Sequence, residues 1–165
     1  MRIWSFIQLM PIKPLTLSVS AYKDTIGVQY SWDSTVANHA KVAVNDYFVL
    51  VDDKMVLGYG LIERLESYSS VKTRLRCTKC KSTKFSSRSE RYPEFRCTQC
   101  KEEFSSPLQE VINIISYDAF YQSFWKPISN SPKSLLSNAY ISKAVQQSIR
   151  ELSVRDVNSA LNINI

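Results

Sequence analysis

The chain has 165 residues, of which 44% are hydrophobic, and it carries a formal net charge of +6 at pH 7. This length suits one domain, or one domain with a small appendage, and it allows a hydrophobic core without disulfides. No apolar run approaches the roughly 18 residues of a membrane-spanning helix, and the first residues lack the features of a signal peptide. We therefore expect a cytoplasmic protein that does not bind membranes.

The predicted elements are mostly strands. In chain order, strands are expected at residues 3–10, 26–30, 47–51, 55–65, 71–76 and 111–116, with a tight turn at residues 52–54. Residues 13–24 are a loop or a short helix, and residues 32–39 are a polar turn or a short helix. Helices are predicted at residues 118–125, at residues 139–152 and after the capping residue Ser153. The fold class is mostly β with peripheral helices (α+β), as a small β-barrel or a strongly curved sheet.

Four cysteines have the spacing of a zinc ribbon. Two residues separate Cys77 from Cys80, sixteen residues follow, and two residues separate Cys97 from Cys100. Two such pairs can surround one ion with four thiolates, which is the usual structural zinc site. Because a closed shell of four sulfurs leaves no position for water, we predict a structural Zn²⁺ rather than a catalytic one. The alternative, two disulfides, is typical of secreted proteins.

Basic residues concentrate in the same segment. Between Lys72 and Lys101 there are ten bases and two acids, so this stretch carries +8 and the rest of the chain carries −2. A patch of this density is typical of proteins that bind a polyanion, and the alternative is a solvated face. The residues predicted to contact a nucleic-acid backbone are Lys72, Arg74, Arg76, Lys79, Lys81, Lys84, Arg88, Arg91 and Arg96.

The sequence contains no catalytic constellation. His39 is the single histidine, which excludes sites built from paired histidines, and the four thiols are assigned to the metal. Nucleotide-binding glycine motifs and the GxSxG motif are absent. Asp52 and Asp53 are adjacent, but they occupy a predicted turn and are more typical of a solvated turn than of a catalytic pair. We therefore expect a binding protein and not an enzyme.

The order of several short stretches resembles a known superfamily. Residues 30–38, 44–50 and 56–62 together resemble a PUA-like domain of the EVE/YTH/SRA kind, with Asn45 where that superfamily usually has glycine. Residues 74–77, 93–97 and 103–107 resemble the branch that carries a four-cysteine ribbon, which forms the N-terminal specificity domain of HNH-type, modification-dependent restriction endonucleases. Residues 147–152 resemble the segment that leads toward the nuclease in those proteins.

The resemblance implies a domain organisation and a function. A PUA-like domain would span residues 1–152, with a zinc ribbon inserted at residues 72–107, and residues 153–165 would form a C-terminal helix and tail toward an HNH nuclease, fused or separate. The expected partner is double-stranded DNA with a modified base, such as a modified cytosine, which is flipped into a pocket of the domain.

The candidate pocket residues follow one another in the chain. Tyr30 and Trp32 could stack on a flipped base, whereas Asp33, Ser34 and Asn38 could form hydrogen bonds with its edge. For both rings the alternative is packing in the hydrophobic core. Two other functions remain open, namely a PUA-like RNA-binding protein and a zinc-ribbon adaptor that binds a protein partner.

Overall fold

The computed structural model describes residues 1–8, 22–144 and 147–165. In this part of the chain the protein is mostly β, with one α-helix, α1 (Val154–Leu161), and two 3-10 helices, Gln122–Phe124 and Lys133–Leu136. The strands are β1 (Ile3–Ile7), β2 (Gln29–Asp33), β3 (Tyr47–Val51), β4 (Val56–Leu61), β5 (Arg64–Arg76), β6 (Phe85–Ser87), β7 (Phe95–Cys97), β8 (Glu103–Phe104), β9 (Leu108–Phe120), β10 (Lys126–Pro127) and β11 (Ile149–Leu152). The prediction of a mostly β fold is confirmed.

The described residues divide into two compact units. The second unit is Ser70–Ile114, and the first unit contains the other described residues. β5 and β9 each contribute residues to both units. The second unit is therefore an insertion in the chain of the first, and it contains the predicted ribbon at residues 72–107.

A five-stranded sheet with the order β10-β4-β3-β1-β11 lies in the first unit. β1 is parallel to β3, with Ile3 opposite Tyr47, and antiparallel to β11. β3 and β4 form an antiparallel hairpin. Asp52 closes its turn, because its Oδ1 accepts hydrogen bonds from the backbone N–H groups of Lys54 and Met55 at 2.7 and 2.6 Å. The strand at residues 47–51 and its turn are as the sequence predicts.

β1 is buried on both faces. Because side chains alternate along a strand, Trp4 and Phe6 point to one side and pack with Trp32 in an aromatic core. Ile3 points to the other side, where a second, aliphatic core includes Val157 of α1. One strand therefore contributes to both cores of the first unit.

A second sheet of the order β2-β9-β5 supplies the other wall of the aromatic core. β2 lies at Gln29–Asp33 rather than at residues 26–30, because the chain turns at Gly27, whose φ is +84°. Within the pairing of β2 with β9, Trp32 lies opposite Tyr117.

Two predicted helices are wrong. Residues 118–120 extend β9, and only Gln122–Phe124 forms a short 3-10 turn. Residues 149–152 form β11, which pairs with β1. In both segments, pairing with a distant strand outweighs a local pattern that resembles a helix.

The helix after Ser153 is confirmed. The Ser153 Oγ accepts a hydrogen bond from the Asp156 N–H at 3.4 Å, which caps α1. After the helix, Ile163 and Ile165 pack against the aliphatic core. The predictions at residues 9–10, 13–21 and 145–146 lie outside the described residues.

Replacement of Gly58 by alanine should destabilise the protein through overpacking. A Cβ atom there would lie 2.5 Å from Cζ2 of Trp125 and 2.6 Å from the backbone oxygen of Lys126. We expect Gly58→Ala to lower the free energy of unfolding by about 1–3 kcal/mol, measured by urea denaturation. Gly60→Ala is the comparison variant: its nearest contact, 3.0 Å to the ring of Phe48, is also tight but longer, so we expect a smaller loss of stability. Equal losses for the two variants would contradict this packing.

Candidate metal centre and nucleic-acid interface

The four cysteine sulfurs lie together in the second unit. All four Sγ atoms are within 4.8 Å of one another. The Sγ atoms of Cys77 and Cys100 are 3.6 Å apart, and so are those of Cys80 and Cys97. A disulfide needs about 2.05 Å, whereas a tetrahedral ion with metal–sulfur bonds of about 2.3 Å puts its sulfurs about 3.8 Å apart. The four side chains therefore form a cluster that fits a metal ion such as zinc.

Two turns of the same geometry present these sulfurs. In each turn the N–H of the first cysteine, Cys77 or Cys97, donates to the carbonyl five residues later at 2.8 Å. The N–H four residues later donates back to the carbonyl of that cysteine at 3.1 Å. The residue that donates back is Lys81 in one turn and Lys101 in the other, with φ of +60° and +64°.

Backbone N–H groups favour the thiolate form at Cys97. Hydrogen bonds from the backbone N–H groups of Cys100 and Gln99 lower the pKa of the Cys97 thiol to about 6. The thiolate is the form of cysteine that binds metals. At Cys80 the backbone N–H of Ser82 lowers the pKa of the thiol, but desolvation and hydrogen bonds to the other three sulfurs raise it overall. The first thiolate of the cluster therefore forms at Cys97.

In the described residues 70–114, the hydrophobic core combines the cysteines and Leu75 with three phenylalanine rings. Phe85, Phe95 and Phe104 are in mutual contact at centroid distances of 5.3 to 5.8 Å. In small metal-binding domains the metal supplies much of the folding free energy. The cysteine cluster is thus the second main element of the core among these residues.

Four of the nine predicted backbone-contact residues form ion pairs with carboxylates of the same unit. The pairs are Arg76 with Glu110 at 2.6 Å, Arg88 with Glu103 at 2.7 Å, Lys79 with Glu102 at 3.3 Å and Arg96 with Glu103 at 3.8 Å. These glutamates follow the segment 72–101 in sequence but belong to the same unit. Ser70–Ile114 as a whole has ten cations and five carboxylates, a net charge of +5.

The other cations differ in exposure. Lys72 and Arg74 are partly buried, whereas Lys81, Lys84 and Arg91 are exposed. Lys101 is exposed as well, and within the described part of the chain no carboxylate forms an ion pair with any of these four exposed residues. The ring of Tyr92 is 85% exposed beside Arg91 in sequence. The Nζ atoms of Lys81 and Lys101 donate to the backbone oxygens of Thr78 and Thr98 at 3.2 and 2.8 Å, which leaves their charge exposed and without a carboxylate partner among the described residues. This unit therefore presents exposed positive charge together with an accessible aromatic ring.

The aromatic residues of the predicted base pocket lie in the core of the first unit. Tyr30 is 4% exposed, and its hydroxyl donates to the backbone oxygen of Ile7 at 3.1 Å. Trp32 is 1% exposed, and its Nε1 donates to the backbone oxygen of His39 at 3.1 Å. Of the two alternatives that the sequence leaves open, core packing is the one that the structure shows.

The polar residues of the predicted pocket hold the turn after β2. The Asp33 carboxylate accepts hydrogen bonds from the Tyr22 hydroxyl and the Thr35 N–H, each at 2.7 Å. Ser34 Oγ accepts from the Ile115 N–H at 3.0 Å. Asn38 has a φ of +65°, and its Nδ2 donates to the backbone oxygen of Ile149 at 3.0 Å. Each of these three side chains forms hydrogen bonds within the protein.

One aromatic residue next to this turn was missed by the sequence reasoning. The Tyr117 ring is partly exposed and stacks on Trp32, with a centroid distance of 5.4 Å and an interplanar angle of 9°. The partly exposed ring of His39 lies 5.8 Å from that of Tyr117. The register of β2 against β9 brings these rings together, and no local pattern in the sequence predicts it.

No family model, curated protein or solved structure matches this chain. In the described part of the chain, none of the helices is long and apolar enough to cross a membrane. The function is therefore inferred from the residues of each unit.

Removal of one cysteine should release the metal. We expect the wild-type protein to contain one metal ion per chain and Cys77→Ser to contain none after dialysis, by elemental analysis, because three thiolates leave the tetrahedral shell open. Amide hydrogen exchange in β6, β7 and β8 should become faster at the same time. Ser86→Ala, at an exposed position of β6, is the control that should keep its metal. A full metal equivalent in Cys77→Ser would contradict the four-thiolate site.

Truncation of Trp32 should chiefly cost stability. Because the ring is 1% exposed within the aromatic core, we expect Trp32→Ala to lower the free energy of unfolding by about 3–5 kcal/mol in urea denaturation. Tyr117→Ala, which truncates the partly exposed partner of this stack, should cost less. If Trp32→Ala lowered the free energy of unfolding by less than Tyr117→Ala does, the result would contradict the placement of Trp32 in the core.

Proposed function

We propose that the chain is a zinc-containing domain that binds double-stranded DNA and recognises a modified base, such as a modified cytosine. The single observation that carries the nucleic-acid part is the set of exposed cations without carboxylate partners among the described residues, namely Lys81, Lys84, Arg91 and Lys101. Four clustered thiols support the zinc ion.

The cations of the second unit have two different roles in this proposal. Lysine and arginine side chains that have no carboxylate partner can bind phosphate oxygens and release counterions. We assign this role to the four exposed residues. Residues paired with glutamates, such as Arg76 and Arg88, chiefly stabilise the unit. The exposed ring of Tyr92 is suited to contact with a base or a sugar.

The modified-base part of the proposal is supported by the resemblance to PUA-like specificity domains. Because Tyr30 and Trp32 are buried, we assign base contact to Tyr117 and His39, at the accessible edge of the same stack of rings. Cleavage would then belong to an HNH nuclease, fused or separate, and the present chain would act as the binding domain.

A binding panel tests this function. We expect fluorescence anisotropy to give tighter binding to duplexes with methylated, hydroxymethylated or glucosylated cytosine, or with methyladenine, than to the plain duplex or the matched RNA. Tyr117→Ala should reduce the preference for the modified base, whereas Tyr117→Phe should keep it, because the ring remains. Preference for RNA would favour an RNA-binding protein. Absence of salt-dependent binding to any nucleic acid would leave the protein-binding adaptor and refute the proposal.

Charge variants separate phosphate contact from base recognition. Lys84→Gln combined with Arg91→Gln should weaken binding to modified and plain DNA alike, and should lower the slope of log K against log salt concentration by about 2. Lys41→Gln is the matched control, because it removes an exposed charge of the first unit. An unchanged salt slope in the double variant would exclude these two residues from the interface.

A further inference from the structure

A cavity of about 680 Å³ lies in the first unit, where β1 and β3 end. Ile7 lines it at the end of β1, and the β3–β4 turn, the 3-10 helix Lys133–Leu136 with the residues after it, and Arg150 of β11 complete its wall. The volume is typical of sites that bind small molecules, which span about 300–1,000 Å³. None of the residues in the sequence-predicted sites lines this cavity.

Positive charge predominates in the lining. Among the described residues that line it there are four cations, Lys54, Lys133, Lys143 and Arg150, and one carboxylate, that of Asp53. Outside Ser70–Ile114 the chain carries a net charge of only +1, so this excess at one cavity is local. The nearby carboxylate of Asp52 is engaged by the N–H groups of its own turn, which hold its pKa below the usual range.

Contacts on two sides hold the Arg150 guanidinium in place. It lies over the ring of Tyr140, with 3.6 Å from Cζ to the ring centroid. Its Nη2 donates to the backbone oxygen of Ser142 at 2.5 Å. The Nε is enclosed, and no described residue accepts a hydrogen bond from it. Because the guanidinium is already ordered, the Arg150 side chain loses less conformational entropy when a ligand binds.

The hydroxyl groups in the wall add neutral donors. Ser134, Ser137 and Ser142 all line the cavity. A fixed arginine, flexible lysines and serine hydroxyls are the donors that bind phosphate oxygens in proteins. The cavity is also separate from the aromatic stack, because Ile7 and Phe6 lie on opposite faces of β1.

We propose that this cavity binds a phosphate group, carried either by a nucleic-acid backbone or by a free nucleotide. The inference rests on the lining of the cavity and is independent of the proposed recognition of a modified base. It adds a phosphate site in the first unit to the cations of the second unit.

The test removes two exposed charges and leaves Arg150 intact. Lys54 and Lys143 are exposed lining residues, so Lys54→Gln combined with Lys143→Gln should fold normally. The probes are ATP and a short unmodified DNA duplex, and the measurement is the dissociation constant by isothermal titration calorimetry. We expect the double variant to bind at least one probe about tenfold more weakly than wild type. Arg150→Lys should also weaken the binding of that probe, because lysine lacks the planar, paired N–H donors of a guanidinium.

The two probes distinguish the sources of the phosphate. If the double variant loses affinity for ATP, the site is assigned to a free nucleotide. If it loses affinity for the duplex alone, the site is assigned to the nucleic-acid backbone. Lys41→Gln is the control, because Arg2 Nη1 donates to the Lys41 carbonyl at 3.4 Å, at the opposite end of β1. Unchanged affinity of the double variant for both probes, or an equal loss in Lys41→Gln, would overturn the proposal. Such a result would not affect a preference for modified DNA, which is measured with other substrates.

Discussion

Burial of β1 on both faces is the constraint on which the first unit depends. It pairs with β3 on one side and with β11 on the other, and its side chains enter two separate cores. Trp32 packs against the aromatic face and is 1% exposed, so its ring is not accessible to a ligand. The opposite face ends at Ile7, in the wall of the cationic cavity. Among the described residues of this unit, the accessible side chains proposed to bind ligands therefore lie at the ends and edges of the sheets.

The second unit has a different source of order. In its described part, three phenylalanine rings and Leu75 supply apolar contacts, while two turns of the same geometry bring four sulfurs together. Glutamates then neutralise several arginine side chains and connect its strands. Lys84 and Arg91 are exposed, and no described carboxylate forms an ion pair with them, so their side chains are available for contact with a ligand.

Local features of the sequence were sufficient for the parts of the structure that depend on short-range geometry. The cysteine pairs and the strand at residues 47–51 are examples, because residue spacing determines the first and a continuous run of aromatic and β-branched residues indicates the second. The local pattern at residues 118–120 and 149–152 predicts helices, whereas both segments are strands, because their partners in β2 and β1 are distant in sequence. The sequence does not predict the cavity for the same reason, because only the folded chain brings together its cations, Lys54, Lys133, Lys143 and Arg150.

The left-handed backbone at Lys81 and Lys101 has a consequence for how this protein can be altered. A side chain in that conformation is strained by about 1–2 kcal/mol, and glycine is the residue that avoids the strain. Both positions close the cysteine turns, so the backbone conformation favours glycine there, whereas the chain has a lysine at each, whose Nζ donates to the backbone oxygen of Thr78 or Thr98. Backbone strain and positive charge therefore oppose each other at these two positions, because a glycine at either would relieve the strain and remove a cation.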